Sequence, residues 1–253
     1  AVEVPGLAAG DHVFVVKYLG DENYYPNTYA NTFNITKYTP EITIVIDDID
    51  NLVALAYTNL TVTVGEGKAT GKLLIDGLDS QIFVEDFTGV FVLDPLVLGA
   101  GDYDLKVTYL GDDTYDVNSN SVQFTVVKGK ATPKLSDITS VIVYGENASF
   151  VVNMISDTPN AATGNVTIYI NGLEYQVVAL DDEYNNATVV IPGLNNGTDT
   201  IGVKYNGNDI FEESITVLTS IIVKQSPSVI VINPIADVDY GNPTVIEYSI
   251  TTT

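Results

Sequence analysis

The segment that decides the fold is Leu98-Gly-Ala-Gly101-Asp-Tyr-Asp-Leu-Lys-Val-Thr-Tyr109-Leu-Gly111-Asp. Within it, Leu105, Val107 and Tyr109 alternate with polar residues, which is the pattern of a β-strand with one buried face. Glycines stand on both sides of this alternation, and glycine is a common residue of the turns that bound a strand. The segment therefore predicts a half-buried strand with Tyr109 on its core side.

The same pattern occurs twice more, and its spacing sets the size of a domain. One copy runs from Leu7 to Asp21 and the other from Leu194 to Asn208. The matching tyrosines, Tyr18, Tyr109 and Tyr205, are 91 and 96 residues apart by their numbers. A period of roughly 90 to 100 residues is that of one immunoglobulin-like β-sandwich. We therefore expect tandem sandwiches with these three tyrosines buried at equivalent places.

Two further patterns recur in the repeats. A strand-like run ends in Asp76-Gly77 in one unit and in Asn171-Gly172 in the next, and both dipeptides are typical of type I′ hairpins. A proline followed by alternating apolar residues opens each unit, at Pro40, Pro133 and Pro227. These patterns predict an all-β chain of tandem immunoglobulin-like β-sandwich domains arranged as a rod, because the linkers are short and carry proline.

The repeats divide the chain into four ranges. Residues 1–38 are expected to form the C-terminal half of one domain, and residues 226–253 the first strands of another. Two complete domains are expected at residues 39–130 and 131–225. The end pieces are completed either by neighbouring residues of a longer polypeptide or by strand donation between head-to-tail copies. Both explanations stay open at this point.

Composition excludes several classes of function. The formal net charge is −23, with 10 lysines and no arginine, which disfavours binding to nucleic acid or to an anionic membrane surface. The chain has no cysteine, and its one histidine, His12, cannot form a multi-histidine metal site. No apolar run approaches the length of a membrane span. We therefore expect a protein without catalytic activity.

The repeat motifs resemble a known family. The step Leu98 to Tyr103 resembles the tyrosine corner of immunoglobulin domains, and His12 takes the place of Tyr103 in the first repeat. Together, the glycine-bounded strands and the Tyr-x-Gly-Asp-x-x-Tyr motif resemble the bacterial group-3-type immunoglobulin-like repeats of large surface proteins. The lack of arginine, cysteine and tryptophan looks like adhesin-like proteins of methanogenic archaea. This resemblance implies an extracellular, cell-surface location and a role in adhesion or in a stalk.

Two kinds of modification or ion site have candidates. Calcium needs six to eight oxygen ligands, and the loop with Asp112, Asp113 and Asp116 offers closely spaced carboxylates. The alternative is a solvated turn in which aspartates bond to their own backbone. Six Asn-x-Ser/Thr sequons predict N-glycosylation on exposed loops or strand edges: Asn34, Asn59, Asn147, Asn165, Asn186 and Asn196.

Two functions compete for the whole chain. The first is a structural stalk, fibre or adhesin module whose partners are neighbouring immunoglobulin-like domains or copies of itself. The second is a binding domain in which the tyrosine-rich loop with Tyr24, Tyr25 and Tyr29 contacts a cell-surface glycan or protein. Exposure of these rings in one cluster would favour the second function.

Overall fold

A computed structural model describes residues 1–181 and 183–252. In this part of the chain every extended element is a β-strand, and two short 3₁₀ turns occur at Ile49–Asn51 and Gly65–Gly67. The contacts divide the chain into two compact units between Val127 and Lys128. The all-β class predicted from the alternating segments is confirmed. The four predicted domain ranges stay predictions, because the contacts divide the chain only once.

The first unit contains one complete sandwich. Its seven strands are β3 (Ile42–Ile46), β4 (Tyr57–Val64), β5 (Gly71–Asp76), β6 (Ile82–Phe87), β7 (Val90–Val97), β8 (Gly101–Tyr109) and β9 (Asn118–Val126). One sheet has the order β3-β4-β7 and the other the order β6-β5-β8-β9, with antiparallel neighbours. A parallel bridge from Val53 to Val127 joins the edge of the second sheet. This strand order is that of an immunoglobulin-like sandwich.

The second unit repeats this architecture. Its eight strands are β10 (Ala131–Ser136), β11 (Val141–Val143), β12 (Ala148–Ser156), β13 (Asn165–Ile170), β14 (Leu173–Ala179), β15 (Asn186–Ile191), β16 (Gly197–Tyr205) and β17 (Val217–Lys224). The sheet orders are β10-β12-β15 and β11-β17-β16-β13-β14. Strand β11 pairs in parallel with β17, as the single bridge at Val53 does in the first sandwich. The two sandwiches are therefore the same fold, as the internal repeat predicts.

Each end of the chain holds a two-stranded sheet. Strands β1 (Gly10–Tyr18) and β2 (Asn27–Ile35) pair antiparallel and correspond to β8 and β9. Strands β18 (Ser228–Ile232) and β19 (Tyr248–Thr252) pair antiparallel and follow Pro227, as β3 follows Pro40. Both hairpins are largely exposed along their length.

The core of each sandwich lies between its two sheets and contains the repeated tyrosine. Leu105, Val107 and Tyr109 of β8 have no exposed surface, and Tyr205 in β16 is equally buried. The prediction of burial is therefore confirmed for Tyr109 and Tyr205. It is wrong for Tyr18, which is 45% exposed, because no second sheet formed by the described residues covers the β1–β2 hairpin.

The two glycine turns differ, although their sequences look alike. Asn171 and Gly172 form the two-residue loop between β13 and β14, and both have positive φ, as a type I′ turn requires. At Asp76-Gly77 the hairpin forms between β5 and β6, but the type I′ turn is wrong, because the connection is longer and only Gly77 has positive φ. A Cβ atom at Gly77 would lie 2.0 Å from the Asp104 carbonyl oxygen, so close backbone packing requires the glycine there.

Candidate functional site

The loop after β8 is held by one aspartate, and we call this arrangement the Asx clasp. The backbone amides of Thr114 and Tyr115 donate to Asp112 Oδ1, each at 2.7 Å. The amide and hydroxyl of Thr70 donate to Asp112 Oδ2 at 2.8 and 3.0 Å. The Tyr109 hydroxyl donates to the Thr70 carbonyl at 2.6 Å. Asp112 thus ties the β8–β9 loop to the start of β5.

The second sandwich builds the same clasp with an asparagine. The amides of Ile210 and Phe211 donate to Asn208 Oδ1, each at 2.8 Å. Asn208 Nδ2 donates to the Thr163 carbonyl at 3.2 Å, and the Tyr205 hydroxyl donates to the same carbonyl at 2.7 Å. Because the side chain can be charged or neutral, the shared requirement is for an acceptor oxygen held by two successive amides.

The environment of the first clasp changes the pKa of two groups. Partial burial acts to raise the pKa of the Asp112 carboxyl, but hydrogen bonds from the Thr70, Tyr115 and Thr114 amides outweigh it and hold this pKa well below its usual range. Burial, together with the nearby Asp112 charge, raises the pKa of Tyr109. Asp112 is therefore ionised and Tyr109 is protonated at neutral pH, which suits their hydrogen bonds.

The clasp also holds the segment that enters each sandwich. The amide of Tyr38 donates to the Thr114 carbonyl, and the amide of Asp116 donates to the Tyr38 carbonyl, both at 2.9 Å. The Lys37 ammonium donates to the Asp112 carbonyl. The segment at Lys37 and Tyr38, which leads into the first sandwich, is thereby bonded to the β8–β9 loop of that sandwich.

The entry to the second sandwich is fixed in the same way. The Gly129 amide donates to the Ile210 carbonyl, and the Gly129 carbonyl accepts from the Glu212 amide, both at 2.9 Å. Ile210 and Glu212 lie in the β16–β17 loop. The Lys128 ammonium donates to the Asn208 carbonyl. This role of Lys37 and Lys128 was not predicted from the sequence, although both lysines lie at the same place in the repeat.

The geometry gives the calcium hypothesis no support. Both carboxylate oxygens of Asp112 accept hydrogen bonds inside the clasp, and the amide of Asp116 is bonded to the linker. Asp113 is exposed. Within residues 1–181 and 183–252, no three acidic, His or Cys side chains converge as a metal centre would need. Calcium binding by Asp112, Asp113 and Asp116 stays a prediction without support from this geometry.

The three tyrosines proposed as ligand contacts lie in different settings. Tyr24 lies three residues after Asp21, as Tyr115 lies three residues after Asp112. In the second sandwich the residue at this place is Phe211, which is fully buried at the end of the sandwich. All three rings are exposed, Tyr24 by 70%, Tyr25 by 93% and Tyr29 by 60%. Tyr29, on β2, packs beside Phe14 on the face that would point to a core. Among the described ring contacts, none joins Tyr24 or Tyr25 to another aromatic ring.

The six sequons fall into three groups by the hydrogen bonding and exposure of the asparagine that would carry the glycan. Asn34 and Asn59 donate from Nδ2 to Asp11 and Asp47, at 2.7 and 3.0 Å. Asn186 is half-buried at the start of β15. The remaining three are exposed, on turns or at a strand end: Asn147, Asn165 and Asn196. Glycosylation stays a prediction, and these last three residues are its best-placed acceptors.

The tyrosine corner is present, and His12 substitutes for it as predicted. The Tyr103 hydroxyl donates to the Gly99 carbonyl, four residues earlier, at 3.1 Å. His12 Nε2 lies 2.7 Å from the Ala8 carbonyl oxygen, which is the same relationship along the chain. His12 therefore has a structural partner at the corner of the β1–β2 hairpin.

No family model matches the chain. No curated protein matches it either. None of the described helices is long and apolar enough to cross a membrane.

Comparison with solved structures gives remote likenesses to tandem-domain proteins. A tetra-tandem repeat from the extending region of a large adhesion protein is 14% identical, with a TM-score of 0.44, covering 99% of this chain and 72% of that one. Fibronectin(III)-like modules of Clostridium thermocellum CbhA are 17% identical, with a TM-score of 0.32, covering 73% and 95%. A two-domain fibronectin type-III segment of chicken tenascin is 15% identical, with a TM-score of 0.38, covering 72% and 98%. The fold class rests on the strand order described above.

Proposed function

We propose that this chain is a non-catalytic structural module of an extracellular fibre or adhesin at a cell surface. The observation that carries the proposal is the hydrogen bonding of the residues that connect the two sandwiches. The Val127 amide donates to the Leu52 carbonyl, and the Val127 carbonyl accepts from the Ala54 amide, at 2.9 and 2.8 Å. Gly129 is bonded to its own domain through the β16–β17 loop. Only Lys128 lies between these two anchored residues.

A connection with one unanchored backbone residue leaves little freedom at the joint. Flexible linkers gain reach and mobility with the number of free residues, so a single free residue favours a stiff joint. A spacer or stalk needs this property, because it must hold a distal part of the protein away from its attachment point. The Asx clasp recurs at the entry to both sandwiches and restricts the entering segment there. This supports the function of a stiff spacer.

The surface chemistry supports the same proposal. The net charge of −23 keeps neighbouring chains apart and soluble. The exposed sequons at Asn147, Asn165 and Asn196 are suitable glycan acceptors for a glycoprotein at a cell surface. The resemblance of the repeat motifs to bacterial group-3-type immunoglobulin-like repeats supports further domains of this kind as partners of the chain.

Distance measurements between the two sandwiches would test the stiff joint. The chain has no cysteine, so Val92→Cys and Val177→Cys give one spin label on an exposed strand position of each sandwich. We expect a narrow distance distribution by double electron–electron resonance. Inserting Gly-Ser-Gly-Ser after Lys128 should broaden it. Equal widths with and without the insertion would contradict the spacer function.

The surface location needs a separate test in the source cells. Antibodies against the folded chain should label intact cells, and mild protease treatment of those cells should remove the signal. Labelling only after permeabilisation would contradict an extracellular fibre, even if the joint proves stiff.

A further inference from the structure

A cleft opens along one edge of the second sandwich, between β10 and β17. Its volume is about 730 Å³. It is lined by apolar side chains of β10, of the loop after β10 and of β17, including Pro133, Leu135, Ile138 and Val217. Pro133 is buried, whereas Leu135, Ile138 and Val217 are only partly buried. The cleft therefore exposes apolar surface between two strand edges.

The first sandwich closes the same edge with two asparagines. Asn118 and Asn120 of β9 donate from Nδ2 to the carbonyls of Pro40 and Ile42, both at 2.8 Å. These bonds join the two sheets where β3 and β9 are in contact. An extended segment cannot enter this edge without breaking them.

The strand register shows why the second sandwich stays open. Asn120 lies opposite Val107, and Val217 lies opposite Val203, which is the residue that matches Val107 in the repeat. The apolar Val217 therefore takes the place of Asn120 and cannot donate a hydrogen bond. Strand β10 contacts β16 instead. This edge of the second sandwich therefore lacks at least one of the two side-chain bonds that close it in the first.

The β17 side of the cleft is a free strand edge. Strand β11 covers only Ile222–Lys224 of β17. The preceding residues, from Val217 to Ile221, pair with β16 on one side, and among described residues no strand pairs with their other side. Antiparallel strands direct alternate backbone groups to each side, so this edge can bind the backbone of another strand.

Two lysines stand at the rim of the cleft on the β10 side. Lys130 and Lys134 are exposed, and neither forms a salt bridge in the part of the chain that the structure describes. Lys130 lies just before β10 and Lys134 lies within it, four residues later, which is a separation of about 13 Å in an extended chain. The nearby Asp157 carboxylate accepts a hydrogen bond from the Lys130 backbone amide, at 2.8 Å. The rim thus carries two positive charges and the one negative charge of Asp157, on a chain of net charge −23.

We propose that this cleft binds an extended segment of a partner protein, which adds to the edge of β17 as a further β-strand. The segment carries small apolar residues at alternate positions, directed into the cleft. It carries acidic residues four positions apart, directed at Lys130 and Lys134. Backbone hydrogen bonds to β17 hold the segment, and the alternating side chains and the lysines select it.

A defined peptide tests the proposal on the intact chain. The probe is fluorescein-labelled acetyl-Thr-Asp-Val-Thr-Val-Asp-Thr-amide, whose two aspartates match the lysine spacing. We expect saturable binding by fluorescence anisotropy that weakens as salt is raised. A peptide with lysines in place of the aspartates should bind more weakly. So should one with proline at the central threonine, because proline removes a backbone donor.

Matched variants locate the binding. Val217→Asn introduces the residue that closes the first sandwich, and we expect it to weaken binding at least about tenfold. Val177→Asn makes the same change on β14, the opposite edge of the same sheet, and should leave binding unchanged. Lys130→Glu with Lys134→Glu should weaken binding by about two- to fivefold per lysine, as for exposed ion pairs.

Three results would overturn the proposal. One is the absence of saturable binding to the wild-type chain. Another is an equal loss of affinity in the Val217→Asn and Val177→Asn variants. The third is self-association in sedimentation experiments that Val217→Asn abolishes, which would make a second copy of this chain the occupant. Folding of each variant is checked by its urea midpoint, so that a weakened affinity is read only from folded protein.

Discussion

At the scale of single residues, Tyr109 links the core to the Asx clasp. Tyr109→Ala should destabilise the first sandwich by about 3 kcal/mol or more, because it empties a fully buried aromatic site. Tyr109→Phe should cost about 1 kcal/mol, because it keeps the ring but leaves the Thr70 carbonyl without its donor. Tyr18→Ala is the control, with a loss below about 1 kcal/mol in a half-exposed hairpin. Urea midpoints check these values, and equal losses at Tyr18 and Tyr109 would contradict them.

Asp112 makes the stability of the first sandwich depend on acid. The pKa of the Asp112 carboxyl is lowered in the folded state, so its contribution is present above the unfolded pKa of about 3.9 and is lost as pH falls through the folded pKa. Below about pH 4 the unfolded chain binds the proton first, which favours unfolding. We expect the first sandwich to lose this stabilisation progressively as the pH falls below about 4.

The second sandwich supplies the control for this pH effect, because Asn208 does not titrate. Asp112→Asn should flatten the acid response of the first sandwich, and Asn208→Asp should create one in the second. Urea melts at several pH values, followed through NMR signals of each sandwich, separate the two domains. An unchanged acid response in Asp112→Asn would assign the effect to other carboxyl groups.

At the scale of elements, two glycines that look alike in the sequence should respond differently to alanine. Gly77→Ala would place a Cβ atom 2.0 Å from the Asp104 carbonyl oxygen, so the backbone must move and the loss should exceed about 2 kcal/mol. A Cβ atom at Gly172 would have no other atom within 4 Å. Gly172→Ala should therefore lower the free energy of unfolding by only about 1 kcal/mol, because alanine disfavours the positive φ at this position. Similar losses for both, measured by urea melts, would contradict the close packing at Gly77.

The same pair of turns shows how far the sequence could predict the elements. The strands were predictable from alternation, because one face of each strand is buried and side chains change face at every residue. The shape of the Gly77 turn was not, because it depends on the approach of β8, which is distant in the sequence. The clasp was only partly predictable, since its motif is visible but the bonds to Thr70 and Tyr38 form across the fold.

At the scale of the whole molecule, the two sandwiches share a fold but differ in how the entering and leaving strands are joined. In the second sandwich, β11 pairs in parallel with β17 over three residues. In the first sandwich this pairing is reduced to Val53 opposite Val127. The Val127 amide donates to the Leu52 carbonyl, and the Val127 carbonyl accepts from the Ala54 amide. In the proposed stalk function, load would pass through these strands, so the difference bears on resistance to force.

Tension along the chain should unfold the first sandwich before the second. Pulling on the linkers drives the parallel strands past each other, so the bonds between them share the load and must break nearly together. More bonds therefore resist a higher force, and forced unfolding reports this barrier through the unfolding rate. We expect two unfolding events at distinct forces in single-molecule stretching. Tyr144→Pro removes the donor to the Lys224 carbonyl and should lower only the higher force, whereas Ala54→Pro removes the matching donor to Val127 and should lower only the other. A single shared unfolding force, or a Tyr144→Pro variant with both forces unchanged, would show that the load is carried elsewhere.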